Sequence, residues 1–373
     1  MNKKNIRLML LLMACVCICV LMIAGCAPET EEPAAEPAEP EEPAESEEPA
    51  EVPEEPKEIF RWKLQAGDSP PGDRYDVLNA WGQAVELTDR VRERTNGGLD
   101  IEPFPLMGLF NPLEAPTALK EGAVEMLHSS GAYHVAMVPA SVIEAGFPYA
   151  FKDHEDLYKF VFETDLVEIM REHYAEHNNA YLANFGSTGA TGYITKFPIN
   201  SIEDLQGKMI RAVGQFGEIA SAHGGTPVNI PGAESYVALQ RGTVDGVIFP
   251  HFAGVTFNLF EVAKYQSWPP VQYVTTSWLI NLDSWNSLPP EYQEILQEEI
   301  DKVSKYSHEV AAPQFDLVSQ EVGAEEFGSE AIWLSDEEFF KMQEAVMPLW
   351  DKWEDHVGDE RLAQIIRDIA VTE

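Results

Sequence analysis

One arginine, Arg211, stands inside the apolar run Met209–Val213, flanked by Ile210, Ala212 and Val213. An unpaired charge at the end of a buried strand costs about 3–5 kcal/mol, so this guanidinium needs an anion. Its rigid fork of donors matches a carboxylate. Two partners are open: an internal Asp or Glu, the commoner arrangement, or the carboxylate of a ligand. Two other patterns invite chemistry. His173 and His177 lie one helical turn apart with Glu172 and Glu176 beside them, and such a pair can share a zinc ion. They lack the H-E-x-x-H arrangement and an evident third ligand, so they read as a solvated helix face and no metal is expected. The run Gly186-Ser187-Thr188-Gly189-Ala190-Thr191-Gly192-Tyr193 could cradle a phosphate through its backbone N–H groups. Without the P-loop lysine and spacing it reads instead as a loop making a tight crossing between lobes.

The elements that must hold Arg211 are legible around it. From Leu205 to Pro250, three short apolar runs (Met209–Val213, Pro227–Ile230 and Val244–Phe249) are separated by helix-like segments 215–223 and 233–241. Strands alternating with helices of this size predict a parallel α/β unit. Upstream, Trp62–Ala66, Leu99–Phe104 and Val124–Ser129 read as strands, with helices over 75–95 and 112–121. Asn96-Gly97-Gly98 ends the first helix. The segment 153–179 reads as one amphipathic helix, followed by a strand at Tyr181–Phe185. Trp268–Leu282 reads as a returning strand. Pro289-Pro290-Glu291 then opens a helix, with two prolines where no intrahelical N–H is needed and an acid in the first turn. Its apolar residues recur at helical spacing for about 30 residues. One or two amphipathic helices over 336–371 close the chain.

The start of the chain reads as an address. Lys3, Lys4 and Arg7 precede the apolar run Leu8–Ala24, which ends in small residues before Cys26. A transmembrane helix is the alternative, but the apolar length is borderline and the sequence turns abruptly polar, as after a removed signal peptide. Cys15, Cys17 and Cys19 would leave with it, so the mature chain would keep one cysteine and no internal disulfide. Thiolate metal sites are excluded for the same reason. Residues 27–58 hold fourteen glutamates and one lysine among prolines and alanines, a segment that has little to bury and repels itself. At about 3.1 Å per residue in polyproline form it reaches at most roughly 100 Å.

Of the formal net charge of −38, residues 1–25 contribute +3, the linker −13 and the rest −28. A domain of that charge does not attract nucleic acid or anionic lipid through its general field. It also repels acids at long range. Screening over about 8 Å at physiological salt leaves local donors in control of any pocket, which makes Arg211 the more necessary for an acidic ligand.

Two motifs around Arg211 carry a family resemblance. D-L-x-G-K-x-I-R is met by Asp204, Leu205, Gly207, Lys208, Ile210 and Arg211, and E-x-Y-x-A-L-Q-x-G-x-V-D-G by Glu234, Tyr236, Ala238, Leu239, Gln240, Gly242, Val244, Asp245 and Gly246. At matching spacing these resemble the solute-binding proteins of tripartite ATP-independent periplasmic (TRAP) transporters. Lys120-x-Gly122-x-Val124-x-Met126, Phe147-Pro148-Tyr149-Ala150-Phe151 and Trp285-x-x-Leu288-Pro289-Pro290 extend the resemblance over nearly all of 59–300. The box before Cys26 resembles that of bacterial lipoproteins, which implies lipidation at Cys26.

The resemblance implies a periplasmic-binding-protein-like α/β fold: two lobes around a ligand cleft, with a long helix spanning both. The expected divisions are a signal peptide (1–25), a lipidated linker (26–58), lobe I (about 59–186 and 277–310) and lobe II (about 187–276 and 311–373). It also implies that Arg211 holds the carboxylate of an organic acid. Tyr236 and Glu234 are expected to order the second-lobe side of the pocket, and Phe147, Tyr193, Phe249 and Trp278 to line it. Two departures stand out. No arginine lies between Asn184 and Lys196, where many relatives supply a second one, and Phe249 replaces the asparagine common before the proline. The second suggests a ligand with an apolar or aromatic body, unless Phe249 is core.

The function so implied is an extracytoplasmic, lipid-anchored receptor that hands a small carboxylate to TRAP membrane subunits, with no cofactor and no nucleic-acid partner. A secreted lipoprotein hydrolase is the competing class. It lacks a G-x-S-x-G elbow, a thiol nucleophile and a metal motif. A ligand sensor without transport is a third possibility.

Overall fold

The computed structural model describes residues 58–68 and 79–370. The signal peptide, Cys26, the acidic linker, the start of the first expected helix and the last three residues lie outside the described segments. A single mixed sheet runs through the described chain. Its strands are β1 (Phe60–Gln65), β2 (Leu99–Phe104), β3 (Met126–Ser129), β4 (Ala180–Thr195), β5 (Met209–Arg211), β6 (Thr226–Val228), β7 (Gly246–Pro250), β8 (Tyr265–Trp268), β9 (Gln272–Asn281) and β10 (Glu330–Trp333). The main order is β2-β1-β3-β9-β4-β7-β5-β6, with β8 joining β4 to β10. Strands β1, β2 and β3 are parallel, as are β5, β6 and β7. The two parallel groups are the α/β units expected from the alternating runs. Between them β4 and β9 pair antiparallel along most of their length.

Helices cover the sheet where their apolar stripes demand it. α1 (Ala80–Arg94) is capped by the Asn79 side chain, which accepts from Gly82 N–H, and buries Ala84, Leu87 and Val91. α2 (Ala115–Lys120) precedes β3. The expected single helix over 153–179 is two: α3 (His154–Phe162) and α4 (Leu166–Asn178). Thr164 divides them, its hydroxyl donating to Phe160 O (2.6 Å) while accepting from Leu166 N (3.2 Å). A side chain that serves the backbone locally competes with the helical ladder.

The glycine- and hydroxyl-rich run expected as a loop is strand instead, forming the second half of β4. Its backbone groups are taken by β7 on one side and β9 on the other, so extended pairing outweighs the low strand propensity of glycine. The glycines admit close neighbours. A Cβ on Gly192 would lie 2.6 Å from His251 Nε2, and one on Gly189 2.8 Å from Asp316 Oδ1. The β4–β9 register shifts between Ser187 and Gly189. Trp268–Leu282 is likewise not one strand, because Pro269 and Pro270, lacking ladder donors, separate β8 from β9.

α5 (Gln215–Ala222) and α6 (Ser235–Arg241) connect β5, β6 and β7, α7 (Ala253–Thr256) follows β7, and α8 (Leu282–Ser287) follows β9. The helix opened by Pro290 runs further than its spacing suggested: α9 (Pro290–Tyr306), a π-helical stretch Ser307–Ala311, then α10 (Ala312–Val322) and a second π stretch Gly323–Phe327. Pro313, which has no N–H to give, sits just past the first π stretch. This helix meets β4 at the register shift: Ser307 Oγ accepts from Ser187 N (3.0 Å), and Asp316 Oδ1 from Ala190 N (3.0 Å). Asp316 also pairs with His154 Nε2 at 2.8 Å. α11 (Asp336–Val357) and α12 (Glu360–Ile369) bury Trp350, Trp353, Leu362 and Ile366 in the largest core cluster.

Gly189 has φ +83°, a region that costs a residue with a side chain about 1–3 kcal/mol. Gly189→Ala is therefore expected to lower the unfolding free energy by at least that much, and a denaturation midpoint equal to wild type would refute the role given to this glycine.

Candidate functional site

Parallel strands bind ligands at their carboxyl ends, and both parallel groups direct those ends to one cavity of about 220 Å³. Gln65 to Asp68 continue from β1, Leu106 lies just past β2, and Ser129 to Tyr133 continue from β3. From the other group come Arg211 and Val213 at the end of β5 and Ile248, Phe249 and Pro250 at the end of β7. Strands β4 and β9 supply the floor with Ser187, Thr188, Thr191, Val274 and Thr276. The remaining wall is mostly apolar, with Phe216, Phe252, Phe257 and Phe315.

Arg211 is 2% exposed. Its Nε donates to Ile230 O at 3.0 Å and its Nη1 makes a long contact of 3.4 Å to Ile248 O. The guanidinium carbon stands 4.7 Å over the Phe249 ring, an attraction worth about 0.5–2 kcal/mol. Burial pulls its pKa down to about 10, countered only by the nearby Tyr133 hydroxyl, so it stays charged at neutral pH. Among the described residues no Asp or Glu acts on it. Among the described residues, therefore, the internal ion pair, the commoner alternative on sequence grounds, does not meet this arginine. Asp68 lines the cavity too, but receives the Asn79 amide at 2.8 Å.

Two other polar groups on the cavity wall are notable. His128 is stacked on Trp278 at 4.1 Å and hydrogen-bonded through Nε2 to Thr276 Oγ1 at 2.7 Å. Burial drives its pKa to about 3, so it is neutral. The buried Thr191 hydroxyl has no partner among the described residues. No lysine and no second arginine lines the cavity among the described residues.

The residues singled out from sequence divide. Arg211 and Phe249 line the cavity, Phe249 in edge contact with Phe257 at 5.6 Å. The others do not. Phe147 is core, stacked on Trp350 at 5.0 Å. Tyr193 is core, its hydroxyl 2.7 Å from His223 Nδ1. Trp278 is fully buried behind His128. Tyr236 donates outward to Glu261 (2.8 Å), and Glu234 is exposed. Trp278 and Tyr236 lie on the expected strand and helix, but side-chain direction, which residue spacing alone does not fix, carries these residues into the core or to the surface. The segment before α6 does order the site, through its backbone. Ile230 O holds Arg211, and Gly232 leaves room for Phe249, whose ring a Cβ there would meet at 2.9 Å. His128, Tyr133, Thr191 and the phenylalanine wall were missed. Tyr133, Phe216 and Phe252 lie just past predicted strand ends, where open α/β sheets gather ligand groups; His128 inside a predicted strand, Thr191 in the run read as a loop and Phe315 on the long helix carried no such signal.

The histidine pair is also placed. His173 Nε2 lies 3.1 Å from Asp359 Oδ2, and His177 stacks on His173 at 6.2 Å. No group of three metal-ligating side chains occurs among the described residues.

Comparison with known proteins gives this geometry a context. The family model for bacterial extracellular solute-binding proteins, family 7 (DctP), matches residues 79–356. A monocarboxylate 2-oxoacid-binding periplasmic protein of Nostoc sp. is 30% identical over 241 residues, covering 61% of this chain and 65% of that one. The C4-dicarboxylate-binding periplasmic protein of Rhodobacter capsulatus is 26% identical over 289 residues, covering 76% and 84%. Among solved structures, an extracytoplasmic solute receptor of Bordetella pertussis binding pyroglutamic acid superposes with a TM-score of 0.74 at 17% identity, covering 83% of this chain and 99% of that one. A TRAP periplasmic solute-binding protein of Roseobacter denitrificans with bound β-D-glucuronate gives 0.73 at 21% identity, covering 82% and 99%. These structures share the fold, which is the two-lobed periplasmic-binding-protein architecture.

An unpaired buried cation burdens the ligand-free fold, whereas an apolar side chain of similar length does not. Arg211→Met is expected to melt no lower than wild type, and a Tm several degrees lower would mean the guanidinium has a structural partner after all.

Proposed function

The chain belongs to the family 7 bacterial extracellular solute-binding proteins, the receptors of TRAP transporters, and from that premise we propose that it captures a small organic acid and delivers it to membrane permease subunits. The observation that carries the reading is a buried, charged arginine facing a cavity with no acidic partner among the described residues. The ligand carboxylate takes the guanidinium in a charge-assisted pair. The Phe249 ring lies under the guanidinium.

The chemistry of the wall narrows the acid. Only one cation serves the cavity among the described residues, so one carboxylate is matched and a second would be buried without a partner. Phe216, Phe252, Phe257 and Phe315 favour an apolar or aromatic body, and a cavity of this volume is small for a ligand pocket. Thr191 and His128 can meet one polar substituent. The ligand class proposed is thus a compact monocarboxylate with an apolar body. On this reading Cys26 carries lipid and the acidic linker tethers the domain outside the cytoplasmic membrane.

Ligand bound only to the folded state raises the melting temperature by mass action. A thermal-shift and calorimetric panel of phenylpyruvate, branched 2-oxo acids, succinate and glucuronate is expected to shift with the apolar monocarboxylates most. Arg211→Ala should cost about 2–5 kcal/mol of binding. Binding by that variant as tight as by wild type would remove the central claim, and a preference for succinate would remove the monocarboxylate class. Separately, Cys26→Ser is expected to abolish incorporation of labelled fatty acid into the protein. Incorporation equal to wild type would refute lipidation at Cys26.

A further inference from the structure

Behind the cavity lies a carboxyl group that the binding reading does not use. Glu144 is 2% exposed, and among the described residues only hydroxyls and backbone act on it. Tyr174 Oη on α4 donates to Glu144 Oε2 at 2.8 Å, and Ser277 Oγ on β9 donates to Oε1 at 3.1 Å. The Gly131 backbone lies against it as well and favours its ionised form. Gly131 is held closely, since a Cβ there would stand 2.0 Å from Glu144 Oε1. Its carbonyl is held as well, accepting from Ser141 Oγ at 2.9 Å.

Gly131 opens the short turn Gly131–Tyr133, which follows β3. Both Ala132 and Tyr133 line the cavity, and the Tyr133 hydroxyl acts electrostatically on Arg211. The turn also touches the other parallel group, because a Cβ on Gly214 would lie 3.6 Å from Ala132 O. Ser277 is adjacent to Thr276, which lines the cavity and holds His128. Two parts of the cavity wall therefore hang from one buried carboxyl.

We propose that Glu144 is a positioning residue of the acid site: it ties the Gly131–Tyr133 turn to β9 from behind, and ligand binding at Arg211 is coupled to its protonation. The inference rests on the receptor reading above. The physical link is the tie itself. Burial lifts the Glu144 pKa to about 8, so at neutral pH it is a neutral acid, and one of the two hydroxyl bonds then runs the other way, the carboxyl O–H donating to the Tyr174 or Ser277 oxygen. Ionisation leaves a buried carboxylate with no cation acting on it among the described residues, an unfavourable state that is relieved by loosening the hold on the turn, so the binding-competent wall goes with the neutral acid. Binding then takes up a proton above about pH 8, and affinity falls as pH rises through that range. The other titratable groups facing this cluster do not change charge there. His134, whose ring packs at 5.6 Å on Tyr174, is held neutral with a pKa of about 3. Tyr174 and Tyr133 are raised by burial, and Arg211 titrates near 10.

The test is the pH dependence of phenylpyruvate affinity, measured by calorimetry between about pH 6.5 and pH 9 on wild type, Glu144→Gln and Tyr174→Phe. Wild-type affinity is expected to be flat to about pH 7.5 and then to weaken, about fivefold by pH 9 if binding raises the Glu144 pKa by one unit. Glu144→Gln keeps the shape but cannot ionise, so its profile should be flat. Tyr174→Phe removes one donor to the ionised form, so its break should move to higher pH. A merely structural role would lower affinity or stability without changing the shape of either profile. A Glu144→Gln profile that still bends like wild type, or a flat wild-type profile, overturns the proposal while leaving the receptor reading in place. If wild type binds none of the carboxylates, the receptor reading falls and this coupling falls with it. Should Glu144→Gln fail to fold, the Tyr174→Phe break decides: unmoved, it overturns the coupling.

Discussion

A buried guanidinium that no described carboxylate meets is the constraint around which this molecule is arranged. Removing a charge from water is unfavourable unless protein groups replace its hydration. Arg211 receives only partial replacement: one good carbonyl contact, one long one and the face of a phenyl ring. What remains unsatisfied points at the cavity. The rest of the fold must tolerate that burden in the empty state, which requires a large apolar core elsewhere. The core cluster that runs from Ala115 to Ile366, built without any disulfide among the described residues, supplies it. The acidic exterior adds contrast. A surface bearing most of the −38 formal charge does nothing to draw anions from afar, so discrimination rests on the few ångströms around one side chain.

That side chain is useful because of where the sheet ends. Two groups of parallel strands, β1-β2-β3 and β5-β6-β7, are joined by the long antiparallel pair β4 and β9. The carboxyl ends of both groups meet the same space, so the cavity wall is shared between them. The joining strands carry a register shift at Ser187–Gly189, and the long helix fastens to that point through Ser307 and Asp316. Glycine is required there because neighbouring oxygen and nitrogen atoms already occupy the volume a Cβ would take. Close packing, not chain mobility, explains the glycine-rich composition of this stretch.

Much of the architecture could be read from one dimension. The strands around Leu99–Phe104 and Tyr181–Phe185, the alternating unit after Leu205 and the long helix from Pro290 all announced themselves by period and by turn residues. Failures came where a local signal met a stronger tertiary one. Gly186–Tyr193 has the composition of a loop but lies between two strands that take its hydrogen bonds. The segment 153–179 has one helical period but contains a threonine that breaks the ladder. For the site, Arg211 was visible as a charge in an apolar strand, and Phe249 as a ring where the resembling family commonly has asparagine. Phe147, Tyr193 and Trp278 were expected to line the pocket, and the structure sends them into the core.

The sequence by itself determined that Arg211 would be buried and would need an anion, because the apolar residues on either side of it compel burial whatever the details of packing. It determined the class of fold for the same reason: periodicity dictates which face of each element leaves water. Only the tertiary structure decided that no internal carboxylate answers that arginine among the described residues. It alone brought Tyr133, Thr191, His128 and the phenylalanine wall to one cavity, and placed Glu144 behind them. These are relations between residues far apart in the chain, set by strand register and side-chain direction. A one-residue change in register turns a side chain from cavity to core, and no local pattern records which of the two it faces.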